Sequence, residues 1–380
     1  MKFDNPPNCA IILLSTSFRG KFYVSEPYKK QHYVQKAILN SFGEKLSKNS
    51  TKIKYLDLSD ITVKNDFTSN VFCVKNLYNL NISENDKELE QSINKNIETP
   101  MNSIRNKIAN SNDEFVTLSN NEILTIKKYC LMQIYRNPIN ISHVENMCED
   151  TDYIGKTQKH ETESNLDYLK REMLYICEND LRNENEFNLM GVKYQTDSVL
   201  NSSIMIFRTP YEFVINDLGY ACEMTYVNIK TELAIAQATG IEKYMYEKYH
   251  INNFDSYLKE LEMNNYNIKY ELCTILPISY NTAIIFLNKA WNHYTPERAI
   301  YPIFSSRIVN KYIASAKKAT TEYSIIKITE KDTLNINFLL MDTAQKILGF
   351  KTAEFMIKSI DHYVYNLGKN LKYPLLKSKL

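Results

Sequence analysis

Between residues 87 and 108 the segment KELEQSINKNIETPMNSIRNKI spaces Leu89, Ile93, Ile97, Met101, Ile104 and Ile108 three or four positions apart. That spacing predicts a helix with all six side chains on one apolar stripe. Pro100 lies inside the pattern and has no N–H to donate. It therefore either kinks the helix or opens a second one at the first helical position, with Thr99 as N-cap. Glu90, Asn94 and Glu98 then fall on the neighbouring face.

Other segments read as clearly. SNNE (119–122) is a capping box for a helix that buries Ile123, Ile126, Cys130 and Ile134 and ends near Asn137, because Pro138 disfavours helical geometry before it. NLDYLKREMLYICENDL (165–181) is helical, and residues 149–165 are a polar loop. Helices are predicted around 229–248 and 253–263, and over most of 296–320 and 333–367. Strand character appears at 51–65 and 71–80, in the pair SSIMIF (202–207) and EFVIND (212–217), and in the hairpin YELCTILPI (270–278) with NTAIIFLN (281–288). The expected fold class is α+β and helix-dominated, with a small mixed or antiparallel sheet built from distant segments. No repeat or linker divides residues 1–380, so a single globular unit is expected.

Composition removes several functions. With only eight glycines there is neither GxxxxGK[ST] nor GxGxxG, which argues against P-loop hydrolysis and Rossmann dinucleotide binding. The 46 basic and 44 acidic residues leave a net charge of +2, too balanced for a wholly electrostatic nucleic-acid binder. Seven scattered cysteines without a CxxC point to a reducing cytoplasm rather than a disulfide framework or structural zinc. CAIILL (9–14) is too short for a signal peptide, and no apolar run approaches a membrane span, so a cytoplasmic protein without membrane contact is expected.

KKQHYVQKAILNSF (29–42) carries His32 at the edge of a helix whose Val34, Ile38 and Leu39 point to the core. A positive helix end beside the ring would lower its pKa and favour the neutral imidazole of a general base. Gln133 and Arg136, three apart, share a helical face, and the arginine offers a planar donor fork for phosphate or carboxylate, or an ion pair with Glu98. Asp217 ends an apolar strand, where it either enters a cleft or makes a turn with Asn216 and Gly219. Cys148 with His143, and HETE (160–163), lack the spacing of zinc sites. Tyr244, Tyr246 and Tyr249 read as filler rather than a base-stacking platform.

The order of these landmarks resembles the bacterial family catalogued as domain of unknown function 4238. HYVQKAILNSF (32–42), strands ending in Tyr78, the helix with Glu98, QIYRNP (133–138), FVINDLGY (213–220), LPISYNTAII (276–285) and the helix from Asn337 follow that family's sequence collinearly over about residues 30–365, leaving 1–29 as an N-terminal extension. The departures are Gln35 for the entry proline, Asn216 for a serine, and Leu218-Gly219 for Asn-Pro. The resemblance implies a bacterial or phage-borne accessory protein in anti-phage defence or toxicity. One form is a nuclease-like hydrolase of phosphodiesters, with His32, Arg136 and Asp217 catalytic, Gln133 binding substrate, and Glu98 with Asp217 holding magnesium or manganese. The alternative is a non-catalytic sensor or ligand-binding regulator answering to nucleic acid, a phage protein or a small-molecule trigger.

Overall fold

The structure, a computed structural model, describes residues 30–75, 77, 88–111, 114–138, 163–181, 199–228 apart from 201, 267–287, and 322–380 apart from 367 and 369. The helices expected at 229–248, 253–263 and 296–320, the histidines His143 and His160, Cys148, and the tyrosines Tyr78, Tyr244, Tyr246 and Tyr249 lie outside these residues.

The expected helical stripe forms. All six of its side chains are buried, from Leu89 to Ile108. Pro100 neither kinks the helix away nor starts a new one after a Thr99 cap. Helix α2 (Glu88–Ile93) passes into a π-turn (Asn94–Glu98) and on into α3 (Thr99–Asn110), with Thr99 itself in helical geometry and its N–H on the Asn94 carbonyl, five residues back. The reason lies in the spacing. At 3.6 residues per turn each step of four over-rotates by about 40°, so the run 89, 93, 97, 101 would drift about 120° off its face. A π-turn is wider and takes back that rotation, and it also opens the ladder where Pro100 cannot donate.

Thirteen strands occupy the described residues, in three sheets. This overturns the helix-dominated expectation with its one small sheet. β1 (Lys30–His32) pairs with β5 (Cys73–Lys75). A second, antiparallel sheet joins β2 (Glu44–Ser47), β3 (Ser50–Asp57), β4 (Thr62–Phe67), β8 (Ile215–Asn216) and β13 (Ile347–Phe350). The third runs β6 (Phe115–Thr117), β12 (Glu322–Lys327), β7 (Ser203–Arg208), β11 (Thr282–Leu287), β10 (Asn267–Ser279) and β9 (Ala221–Asn228), antiparallel except where β12 lies parallel to β7.

This six-stranded sheet is the middle layer of the molecule. Ile204 and Ile206 of β7, with Ile284 and Phe286 of β11, join the core formed by α1 (Lys36–Phe42), α2, α3, α4 (Asn120–Tyr135) and α5 (Asn165–Glu178). Their alternates Met205, Phe207, Ala283, Ile285 and Leu287 join the core of α6 (Glu330–Thr343), α7 (Ala353–Tyr365) and α8 (Lys372–Lys377). Covered on both faces, β11 is buried at every position, so the sequence shows an apolar run instead of alternation. The expected 270–288 hairpin forms, turning between Ser279 and Thr282. The pair 202–207 and 212–217 does not form a hairpin: β7 belongs to the six-stranded sheet, and the two residues of β8 pair with β13.

Candidate ligand cleft

The Ser119–Glu122 capping box forms as read, and α4 runs from it to Arg136, whose side chain has no solvent exposure. Arg136 reaches out of the helix end to the π-turn: Nη1 donates to Glu98 Oε1 at 2.5 Å, and Nη2 donates to Gln133 Oε1 at 2.8 Å and to the Tyr129 hydroxyl at 3.4 Å. The guanidinium also lies 5.5 Å from the Tyr129 ring centre. Gln133 carries the network onward, donating from Nε2 to the carbonyls of Tyr33 (2.7 Å) and Leu218 (2.9 Å). A buried guanidinium is tolerated only when paired in this manner. Glu98 is the one member with a side chain that reaches water, at 23% exposure.

That exposed carboxylate borders an open cleft of about 700 Å³. β1 supplies Lys30, Gln31 and His32; the start of α1 supplies Gln35, Lys36 and Asn40; the β2–β3 turn supplies Lys48 and Asn49; and the π-bulged helix supplies Glu90, Asn94, Glu98 and Asn102. π-turns recur at functional sites because they re-aim side chains that a regular helix would point elsewhere.

His32 stands in the cleft, on β1 and not in the helix that follows. Its Nε2 lies 2.9 Å from the Thr68 carbonyl, which only accepts, so Nε2 carries the proton and Nδ1 is the acceptor position of the neutral ring. The imidazole pKa is lowered from its ordinary value, first by burial and then by the charge of Lys36, against the opposing Thr68 carbonyl. The lowering expected from a helix end thus has another cause.

The charges around His32 are unequally matched. Glu90 accepts from Gln31 Nε2 at 3.1 Å and Glu98 is held by Arg136. Lys36 and Lys48 make no ion pair among the described residues, and Lys30 donates to the neutral side chain of Asn70 at 2.8 Å. The cleft therefore presents three exposed ammonium groups against two carboxylates, of which Glu98 is paired with Arg136 and Glu90 has only the neutral Gln31 amide among the described residues.

Asp217 is held elsewhere. Its Oδ1 accepts from the Gln345 N–H (2.9 Å) and its Oδ2 from the N–H groups of Lys346 (2.7 Å) and Ile347 (3.4 Å), which ties β8 to the entry of β13. Burial raises its carboxyl above the ordinary value, and these three donors oppose the rise. Asn216 is likewise turned inward, donating to the Tyr220 and Leu340 carbonyls. The turn closes with Gly219 donating to the Asn216 carbonyl. Gly219 sits at φ +75° with a Cβ position only 2.5 Å from Gln133 Nε2, so this turn needs glycine for both conformation and space.

Of the residues singled out in the sequence, then, the structure brings His32 and Glu98 to one cleft, places Arg136 and Gln133 directly behind Glu98, and leaves Asp217 outside the lining. Glu98 lines the cleft and Asp217 does not, and no three His, Cys, Asp or Glu side chains gather around one metal position among the described residues. The lining lysines and amides form no recognisable motif in the sequence. The signal for them was local: lysines flank His32 at positions 30 and 36, and the spacing of fours turns Asn94, Glu98 and Asn102 toward the same side.

A profile of the family described as protein of unknown function (DUF4238) matches residues 30–354. The chain belongs to this family. The match spans the whole cleft, the Arg136 network and the Asp217 turn. No curated protein and no solved structure matches the chain. No helix among the described residues is long and apolar enough to cross a membrane.

Proposed function

We propose that this family member binds a small anionic molecule, of the phosphate-bearing class, in the cleft around His32, and that it acts as a ligand-responsive binding protein. The observation that carries the reading is the charge imbalance of the lining: Lys30, Lys36 and Lys48 stand exposed and outnumber the carboxylates Glu90 and Glu98, the second of which is already paired with Arg136. The volume of about 700 Å³ suits a ligand of nucleotide size. The paired, water-excluded Arg136 acts as the rigid back of the cleft and does not meet the ligand. A sensor in anti-phage defence would use such a cleft to detect its trigger.

A hydrolytic reading draws on one further observation: His32 lines the cleft with Nε2 on the Thr68 carbonyl, and burial lowers its pKa, which favours the neutral ring a general base requires. In that reading the exposed lysines hold a phosphodiester of RNA or DNA. Asp217 has no part in it, since its oxygens are occupied by backbone donors.

Isothermal titration of the protein with nucleoside mono- and diphosphates tests the first reading. Binding should weaken at least about tenfold in Lys36→Glu/Lys48→Glu, roughly the 1.4 kcal/mol that such a ratio represents. Equal affinity of wild type and variant would defeat it. Cleavage of RNA or DNA that disappears in His32→Ala, at unchanged melting temperature, would favour the hydrolytic reading instead.

A further inference from the structure

Gln35 stands where the resemblance places a proline, and it is 4% exposed at the floor of the cleft. Its Nε2 donates to the Glu98 carbonyl at 3.2 Å, which fixes the amide orientation, because the reverse would set two acceptors against each other. Its Oε1 is therefore an acceptor, and it is buried without a hydrogen-bond partner. Asn102, one turn further along the helix from Glu98, also lines the cleft and holds a buried Oδ1 without a partner. A buried acceptor left without a partner is costly to a fold, so such an atom beside an open cleft marks a place for a ligand donor. Beside these two, Glu98 shows its partly exposed carboxylate to the same space.

We infer that the cleft recognises the ligand by a fork of N–H donors, which the Gln35 acceptor and the exposed Glu98 carboxylate receive at the floor, with the Asn102 amide beside them, while the lysines hold its anionic end. The inference rests on the proposed ligand cleft and adds the chemistry of the recognised end. Two sources share that chemistry: the N–H edge of a guanine nucleotide, and a guanidinium compound that bears an acid group. A site built from acceptors rejects an analogue lacking the donors far more strongly than one that differs only in bulk, because its own polar groups are left orphaned. Gln35 is thus a specificity-determining residue that proline cannot replace.

The test is a set of matched affinities measured by titration calorimetry on the full chain. The probes are guanosine monophosphate against inosine monophosphate, which lacks the exocyclic amine; L-arginine against L-norleucine, which lacks the guanidinium; and ribose 5-phosphate as an anion without N–H donors. One donor-bearing probe should bind at least about tenfold tighter than its partner, and which pair discriminates identifies the source. Gln35→Leu, similar in size, should reduce that ratio to near one while the affinity for ribose 5-phosphate stays unchanged, which shows that the cleft is still formed. If ribose 5-phosphate binds as tightly as every donor-bearing probe, the anion cleft stands and the donor fork is wrong. If no probe binds at millimolar concentration, both the cleft reading and the inference fall.

Discussion

Replacing Arg136 by Met tests whether the back of the cleft is held as described. Methionine keeps most of the unbranched stem, so little cavity is created, and the effect reports the lost guanidinium. Three groups lose a partner: Glu98 Oε1, Gln133 Oε1 and the Tyr129 hydroxyl. Breaking a fully buried ion pair costs about 3–5 kcal/mol. Here Glu98 can recover some hydration, since its side chain is 23% exposed, which brings its share to about 1–2 kcal/mol. The fully buried Gln133 acceptor adds about 1–2 kcal/mol. The sum is about 3 kcal/mol, read from urea unfolding followed by circular dichroism at constant slope. Glu98→Gln alone should cost about 1 kcal/mol, and the double variant should fall short of the summed single effects by about 1 kcal/mol, the coupling of the pair. A loss below about 1 kcal/mol for Arg136→Met, or strict additivity, would refute a network of this kind.

Gly219→Ala should destabilise by about 2–4 kcal/mol, because a left-handed alanine costs about 1–2 kcal/mol and its methyl displaces Gln133 from the Tyr33 and Leu218 carbonyls; chemical denaturation reads it. Asp217→Asn should lose about 2 kcal/mol, since one amide end then faces a backbone N–H at 345–347, while ligand affinity stays unchanged in calorimetry. The lowered pKa of His32 sets a pH dependence. On acidification the unfolded chain takes up the proton before the folded one does, so this stability is present above about pH 6.5 and declines as the pH falls through 6.5 toward the lower folded value. His362, lowered first by burial and then by Lys331, acts in the same direction. The fall in unfolding free energy from about pH 7.5 to 5.5 should therefore shrink in His32→Gln and shrink further when His362→Gln is added.

How much of this was legible depended on distance along the chain. The stripe from Leu89 to Ile108 and the Ser119–Glu122 box are local signals and read correctly, as did the 270–288 hairpin. Pro100 resembles a break because proline usually is one; the run of fours around it carries the cue for a π-turn. The sheets were under-read for two reasons. β1, β6 and β13 are too short to show alternation, and β13 (Ile347–Phe350) interrupts the stretch 333–367 whose apolar spacing otherwise predicts helix. Asp217 illustrates the limit most clearly. A carboxylate at the end of an apolar run has the same local sequence whether it enters a cleft or caps another strand, and its partners at Gln345–Ile347 lie about 130 positions away. The apolar spacing of Val34, Ile38 and Leu39 extends nearly to His32, so the local sequence sets it at a helix edge. The helix begins only at Lys36, after Gln35 at φ −56°, ψ 126°.

The most direct test of an anion-binding cleft is an NMR titration of the His32 ring, assigned by its loss in His32→Gln, with and without saturating guanosine monophosphate. In the free protein His32 should titrate below 6.5, and the bound phosphate should raise that value by stabilising the imidazolium, while His362 stays where it was. A His32 titration that the ligand leaves unmoved would mean the anion is not beside this ring, and the account of the cleft would fail.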